Sequence, residues 1–315
     1  MQKRYLFSIL LISLFLAGCT GLGGSQEQTK NNAFVGGKQA LSLGFLEGEP
    51  PAKVLDNNQE EFTITLLLRN EGEYTVPKGR ILATLSGISK DSFGLKALTV
   101  KSDFDLEKRT KTRDQALVGG QEEINFGTVK YKPDLPADFP ITMRADICYD
   151  YETTTVTSIC LKKDVFARTD INDNCALDST PQTENSGGPI QIINVRQRPT
   201  GTNKVRLSFD LTNQGVGAVY KPKSFNQVCT GNEEHKEEIG IEFKSTSAQN
   251  YPISCTKTNT NRGTYKLVNG IKTITCDIDT KNLQESSYTD FFIIKASYMY
   301  RDSVDLPIVI ENSEY

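Results

Sequence analysis

The stretch Phe62-Thr-Ile-Thr-Leu-Leu-Leu-Arg-Asn-Glu-Gly72 decides the fold class, because its large apolar residues recur at every second position. Alternation with a period of two is typical of a β-strand that buries one face. Asn70-Glu71-Gly72 ends the run with residues that favour a turn. A similar stretch, Val205-Arg-Leu-Ser-Phe-Asp-Leu-Thr-Asn-Gln-Gly215, lies 143 residues further along the chain. We therefore expect the same strand and turn in two places.

A second pair of landmarks follows the first in the same order. Arg144–Tyr149 matches Lys295–Tyr300 at an offset of 151 residues. Each is expected to turn and return as a second strand, Thr155–Leu161 in the first case and Leu306–Ile310 in the second. Two ordered landmarks at nearly the same offset indicate an internal duplication. Convergent strand patterning is the alternative.

Further strand candidates fill the space between the landmarks, and no segment sustains the apolar period of a helix over three turns. About seven short strands in each half, separated by turns, indicate an immunoglobulin-like sandwich. The sequence therefore predicts an all-β chain with two tandem β-sandwich domains, at residues 36–168 and 189–315. Residues 169–188 are polar, contain Pro and Gly, and are expected to be a linker. The candidates are Ala40–Glu47, Arg80–Leu85, Glu123–Tyr131, Ile190–Arg196, Ile239–Phe243, Tyr251–Lys257 and Tyr265–Ile278.

Each half also contains the pattern Asn-x-Gly-x-x-x-Val directly after its first long strand. It runs from Asn70 to Val76 and again from Asn213 to Val219. A strand that ends in this pattern resembles the CARDB-type adhesion modules of archaeal and bacterial surface proteins. The resemblance implies a surface-exposed sandwich module.

The first residues read as a secretory leader. Gln2-Lys3-Arg4 is positive, Tyr5–Phe15 is apolar, and Leu16-Ala17-Gly18-Cys19 supplies small residues for cleavage. The apolar run is too short to span about 30 Å of hydrocarbon. Leu-Ala-Gly-Cys resembles the lipobox of bacterial lipoproteins, which also occurs in some archaeal surface proteins. The resemblance implies cleavage after residue 18, lipidation of Cys19 and anchoring to a lipid bilayer, with residues 19–35 as a flexible tether. An ordinary cleaved leader or a short N-terminal membrane anchor is the alternative.

With Cys19 assigned to lipid, six cysteines remain. An even number in an exported chain indicates disulfides, so we expect three bridges and an extracytoplasmic location on the cell surface or the periplasmic face. A hairpin closing around Thr154 would pair Cys148 with Cys160. A hairpin at Asn269-Gly270 favours Cys255 with Cys276, which leaves Cys175 for Cys229. Six cysteines allow fifteen connectivities, so these pairings are hypotheses.

The sequence offers little chemistry. A net charge of −3 and a pI near 5.5 give no electrostatic case for nucleic acid. His235 is the single histidine, there is no C-x-x-C, and no nucleophile elbow or phosphate-binding glycine loop is present. Asp170–Asn174 resembles the start of a calcium loop, but Cys175 stands where that loop needs Gly and its closing Glu is missing. We therefore expect no metal and no cofactor. The basic run Lys108–Arg113 is read as a solvated loop.

We expect a non-enzymatic, membrane-anchored surface lipoprotein that serves as a structural or protein-interaction module. Its partner would be another envelope or surface protein, contacted through sandwich-end loops or sheet edges. One alternative is a glycan- or wall-binding adhesin, which predicts exposed tyrosines among Tyr149, Tyr151, Tyr298 and Tyr300, although core packing also explains their repeated position. A further alternative is a hydrolase with two carboxylates in one cleft, one of them with a raised pKa.

Overall fold

A computed structural model describes residues 33–113, 115–166, 174–231, 233–247 and 251–314. The predicted leader, Cys19, the tether up to residue 32 and Asp170–Asp173 lie outside the described residues. One short helix, α1 (Phe225–Val228), interrupts the strands. These are β1 (Leu41–Phe45), β2 (Lys53–Leu55), β3 (Phe62–Asn70), β4 (Ile81–Ser86), β5 (Thr99–Lys101), β6 (Thr110–Lys111), β7 (Ala116–Leu117), β8 (Gln121–Val129), β9 (Phe139–Lys162), β10 (Thr183–Asn185), β11 (Ile190–Pro199), β12 (Lys204–Asn213), β13 (Ala218–Tyr220), β14 (Glu238–Ser245), β15 (Ile253–Cys255), β16 (Arg262–Lys266), β17 (Ile271–Asp279) and β18 (Ser287–Glu311).

Two long strands organise the fold. β9 and β18 pair antiparallel without a register shift, from Phe139 opposite Ile310 to Lys162 opposite Ser287. The turns predicted after Tyr149 and Tyr300 are therefore wrong. The residues taken for a turn, Glu152–Thr154, include no Gly, Pro or Asn, and they continue the ladder instead.

The long strands join both halves of the chain in one nine-stranded sheet. Its main order is β16-β14-β18-β9-β4-β5. β4 pairs with residues 144–149 of β9, and β14 pairs with residues 292–297 of β18. Because β9 and β18 are antiparallel, the second part of each long strand lies beside the first part of the other. Each half of the sheet thus contains a strand from the other half of the chain.

Because the sheet is shared, the predicted domain limits do not separate two independent sets of strands. Residues 36–168 and 189–315 contribute strands to a common sheet and do not form two separate sets of sheets. The predicted linker also takes part, since β10 pairs with Thr155–Thr157 of β9. β2, from the first half, pairs with Val309–Glu311 at the end of β18.

Three smaller sheets complete the described architecture, with order β1-β3-β8 and the two-stranded β6-β7 hairpin in the first half, and β11-β12-β17-β15 in the second. The alternation in β3 has the predicted effect, because Phe62, Ile64, Leu66 and Leu68 are all buried. Inward-facing residues of the three-stranded, four-stranded and shared sheets join in one apolar core. β1 lies against β18, and β11 lies against β9. The all-β class predicted from the sequence is confirmed.

The two Asn-x-Gly turns have the same geometry. The Asn70 side chain accepts a hydrogen bond from Gly72 N at 3.0 Å and donates to Tyr74 O at 2.8 Å. In the second half, Asn213 accepts from Gly215 N at 3.1 Å and donates to Gly217 O at 3.0 Å. The repeated hydrogen bonds support the predicted duplication.

All six cysteines beyond Cys19 lie in disulfides. Cys255 pairs with Cys276, as predicted, across β15 and β17. The other two predicted pairs are wrong, since Cys148 bonds to Cys229 and Cys160 bonds to Cys175. Cys148 and Cys160 both lie on β9, twelve residues apart, and an extended strand separates them by about 40 Å.

The disulfides indicate an oxidising, extracytoplasmic environment. Across the described ranges, no helix has the length and apolar character needed to traverse a bilayer.

Candidate functional site

A cluster of four tyrosines lies at the centre of the paired long strands. Tyr149 is opposite Tyr300 and Tyr151 is opposite Tyr298, and the neighbouring ring centroids are 5.9 to 6.2 Å apart. Each side chain is at most 3% exposed. The exposed tyrosines predicted for a glycan-binding adhesin are therefore not found. Packing of the sheet face, the other reading of these residues, is confirmed.

Both repeated turns rest on this cluster. A Cβ atom on Gly72 would lie 1.8 Å from the Tyr151 hydroxyl, and one on Gly215 would lie 2.2 Å from the Tyr300 hydroxyl. Only glycine allows this close approach of backbone to ring. Burial also raises the pKa of Tyr300 to about 12, which keeps its phenol neutral at physiological pH. The turns of both halves consequently lie on the same face of the shared sheet.

Next to the turn of the second half, apolar side chains point into solvent. Val216 is 95% exposed, and Val268 and Ile271 are exposed on the β16–β17 hairpin. Asn213 N donates a hydrogen bond to Gly270 O at 3.0 Å, which ties the turn to the hairpin. The three side chains thus belong to one connected loop region.

The first half repeats this arrangement. Asn70 N donates a hydrogen bond to Gly120 O at 2.9 Å. Val118, which precedes Gly119 and Gly120, is 87% exposed. The basic run Lys108–Arg113 forms the β6 side of the neighbouring hairpin, as a solvated loop, and Arg109 donates from Nη1 to Glu71 O at 3.0 Å. We name the exposed apolar residues of these two loop regions the loop tips: Leu117, Val118, Val216, Val268 and Ile271.

Sequence reasoning missed the loop tips, although a signal was present. Val118 directly precedes Gly119-Gly120, and Val216 lies between Gly215 and Gly217, so each half places a β-branched apolar residue beside glycine, where turns normally carry polar residues. A solvent-exposed valine at a turn contributes nothing to the core. Contact with another molecule is one role left for it.

A cavity of about 290 Å³ opens beside the tyrosine cluster on the same face of the sheet. Burial raises the pKa of the Asp302 carboxyl in its wall. Asp302 lies two residues after Tyr300 on β18, so both side chains project from one face. The lining residues are Lys38, Gln39, Ala40, Leu41, Tyr149, Pro189, Gln214, Gly215, Val216, Tyr300 and Asp302.

The opposite face of the sheet centre is covered by the segment around α1. Phe225 packs under the Arg80 guanidinium, whose carbon lies 4.6 Å from the ring centroid. Arg80 also forms an ion pair with Asp150, yet burial dominates and raises the pKa of the Asp150 carboxyl. The Cys148–Cys229 disulfide fastens this segment to β9.

The hydrolase alternative required two carboxylates in one cleft. Asp150 and Asp302 both have a raised pKa. The register places Asp150 opposite Met299 and Asp302 opposite Ile147, so the two carboxylates project from opposite faces of the sheet. They do not form a catalytic pair.

The remaining sequence candidates lie apart from the tyrosine face. His235 is exposed, with Nδ1 3.4 Å from a Glu238 carboxylate oxygen. Asn174, the described end of the calcium-like segment, donates from N and Nδ2 to Ser287. Within the described part of the chain, no group of three or more His, Cys, Asp or Glu side chains is arranged to hold a metal ion.

No protein-family model matches this chain, and no curated protein matches it. Among solved structures, the secreted serine protease VesC from Vibrio cholerae is 9% identical with a TM-score of 0.18, covering 83% of this chain and 51% of that one. The serine-rich repeat adhesion glycoprotein Srr1 from Streptococcus agalactiae is 9% identical with a TM-score of 0.19, covering 88% and 97%. The chain thus spans about half the length of the first protein. Likenesses this weak carry no argument about fold or function.

Proposed function

We propose that this protein is a non-enzymatic, lipid-anchored module of the cell envelope that binds another surface protein through its loop tips. The observation that carries the proposal is a pair of exposed valines: Val216, in the turn of the second half, is 95% exposed, and Val118, in the loop bonded to the turn of the first half, is 87% exposed. Clustered apolar side chains in solvent mark interaction sites more often than isolated ones do. Loops held on a rigid scaffold are the usual place for binding residues.

The scaffold beneath the loop tips is stiff. Both turns pack on buried tyrosines, the sheet below runs through both halves, and Cys148–Cys229 fastens its other face. A preorganised surface loses less conformational entropy when it binds. Lys108 and Arg113 belong to the β6 side of the hairpin whose β7 strand ends at Leu117, so the partner surface is expected to combine apolar and acidic residues.

The anchor rests on Leu16-Ala17-Gly18-Cys19 and on the disulfides. A lipobox-like sequence supports export and lipidation of Cys19, and the disulfides support export independently. A diacylglyceryl group with an added amide-linked chain would hold the protein firmly on a bilayer.

Site-specific photo-crosslinking on intact cells tests the binding surface. A photoreactive amino acid is placed at Val118, at Val216 and, as a matched control, at Phe139, which is also exposed but lies at the far end of β9. We expect positions 118 and 216 to yield the same crosslinked protein, identified by mass spectrometry, and position 139 to yield none of it. Equal yields at all three positions, or no product at the first two, would contradict the proposal.

Intact mass tests the anchor. Protein isolated from membranes should begin at Cys19, carry the added mass of a diacylglyceryl group, and gain six alkyl groups only after reduction of its three bridges. A retained leader with an unmodified Cys19 would refute the lipid anchor while leaving the loop-tip proposal to the crosslinking result.

A further inference from the structure

The cavity beside Tyr149 has a counterpart in the other half of the molecule. The contacts of the two turns relate β9 and β18 at an offset of 149 residues, because Gly72 meets Tyr151 and Gly215 meets Tyr300; this replaces the offset of 151 predicted from the sequence. Tyr149 on β9 is therefore the equivalent of Tyr298 on β18. By the same offset, Thr153 is the equivalent of Asp302, and both lie on the tyrosine face of the sheet. The duplication thus produced two related sites, which can be compared residue by residue.

The counterpart site is filled. The Thr153 hydroxyl lies 2.8 Å from the Tyr298 hydroxyl, within hydrogen-bond distance. The backbone of Gly188 closes the remaining space, because a Cβ atom there would lie 2.6 Å from Thr153 Oγ1 and 3.1 Å from the Tyr298 oxygen. No room is left for a ligand between these groups.

The chain itself also covers this counterpart. The Glu73 carboxylate accepts hydrogen bonds from Val35 N and Gly36 N at 2.9 Å, and from Gly187 N at 2.8 Å. It thereby holds the start of the described chain over the turn of the first half. The residue at the matching place in the second turn is Val216, which has no carboxylate to bind such a segment.

At the open site, the corresponding groups lack these partners. Tyr149 is 1% exposed, and among the described residues no group makes a hydrogen bond to its hydroxyl. Asp302 accepts one hydrogen bond within the described chain, from Ser303 N at 2.8 Å. A buried phenol and a half-buried carboxylate therefore border about 290 Å³ of open space.

The lining indicates the class of ligand. Lys38 and Asp302 balance each other in charge, so the cavity does not select an ion of either sign. Gln39 and Gln214 add amide donors and acceptors, and the remaining wall is largely apolar. Neutral molecules with several hydroxyl groups and apolar C–H faces match such a mixture of donors, acceptors and apolar surface.

We propose that this cavity binds one neutral sugar residue, with Asp302 accepting hydrogen bonds from its hydroxyls and the Tyr149 hydroxyl completing the set. The volume lies at the small end of ligand sites, which span about 300–1,000 Å³, and it fits one pyranose ring. Val216 lines this cavity and is also a loop tip, so the two proposals share one residue and are separated by their variants: the glycoside test changes Asp302 and Tyr149, and the crosslinking test changes Val118 and Val216. Either can fail in experiment without affecting the other.

Saturation-transfer NMR on the purified full-length protein tests the site. The probes are the methyl glycosides of glucose, galactose, mannose and N-acetylglucosamine, with methylammonium as the cation probe. We expect at least one glycoside to bind, and its Kd to rise at least fivefold in Asp302→Asn and in Tyr149→Phe. Tyr298→Phe is the matched control, because it removes the same hydroxyl from the filled site, and its Kd should equal that of the wild type.

Thermal unfolding of every variant confirms that the comparison is made between folded proteins. The proposal is overturned if none of the four glycosides binds, or if Asp302→Asn and Tyr149→Phe bind as well as Tyr298→Phe. Binding of methylammonium in place of the glycosides would assign the cavity to a cation and would equally overturn it.

Discussion

Removing the Cys148–Cys229 disulfide should destabilise the protein more than removing Cys255–Cys276. The first bridge closes a loop with a sequence separation of 81 residues and the second closes one of 21. In the chain-entropy model, cross-links of these lengths lower the entropy of the unfolded chain by amounts equivalent to about 4.5 and about 3.3 kcal/mol at 25 °C. We therefore expect Cys148→Ala with Cys229→Ala to cost about 1 kcal/mol more than Cys255→Ala with Cys276→Ala.

Packing adds to this difference. Cys148 belongs to a small buried cluster with Tyr220, Phe225, Val228 and Met299, which covers the back of the sheet centre. Without the bridge, only side-chain contacts hold the α1 segment on β9. The segment should then open locally at a lower free energy than the rest of the fold.

Equilibrium unfolding in guanidinium chloride, followed by circular dichroism, measures both double variants against the wild type. Limited proteolysis reports the local opening, and cleavage within residues 221–231 should appear in the Cys148 variant alone. Equal losses of unfolding free energy in the two double variants, or a larger loss in the Cys255 variant, would refute the larger stabilising contribution of Cys148–Cys229.

Three further outcomes follow from single sites. Gly72→Ala should cost about 1–3 kcal/mol in unfolding free energy because its Cβ would meet Tyr151. The control Gly44→Ala, with open space around the Cβ position, should cost nothing measurable. An equal cost in both variants would contradict the close approach of Gly72 to Tyr151. Hydrogen bonds from Arg206 hold the pKa of Asp277 below its usual range. The ion pair therefore stabilises the fold at pH 7, and this contribution is lost as the pH falls through the lowered pKa. In urea unfolding, Asp277→Asn should be less stable than the wild type at pH 7, and the difference in unfolding free energy should close below about pH 4. Burial raises the pKa of the Asp302 carboxyl, so its ionised form destabilises the fold at neutral pH. Asp302→Asn should therefore unfold at a higher temperature than the wild type at pH 7, and this gain in melting temperature should vanish as the pH falls through the raised pKa. A lower melting temperature of the variant at pH 7 would contradict the destabilising effect of burial.

The sequence was sufficient for the strands because burial on one face leaves a period-two pattern. Phe62–Asn70 and Lys204–Asn213 are both observed where the alternation predicted them. The Asn-x-Gly turns were also predictable, because Asn side-chain hydrogen bonds and a glycine act locally. Such features depend on neighbouring residues alone.

Pairing between distant segments was not predictable in the same way. Glu152–Thr154 is polar, which indicates a turn when only the local sequence is considered. In the structure, Thr153 is a buried strand residue, because its hydroxyl meets that of Tyr298 from the other half. The false hairpin then produced the false bridge from Cys148 to Cys160.

The cavity was beyond sequence reasoning for a related reason. The motif match in the sequence pairs Tyr149 with Tyr300, whereas the folded structure makes Tyr149 the equivalent of Tyr298. Their environments differ because the Gly188 backbone closes the site at Tyr298, whereas within the described part of the chain open space remains beside Tyr149. The difference appears only when both halves are folded on one sheet.

Native-state hydrogen exchange in increasing guanidinium chloride tests most directly whether the two halves form one body through β9 and β18. If they do, amides at 153–161 of β9, which pair with β18 residues 288–296, should exchange with the same free energy and denaturant dependence as those at 144–149. Early exchange of residues 153–161, or opening of the two halves in separate transitions with a boundary near residue 150, would contradict a single body.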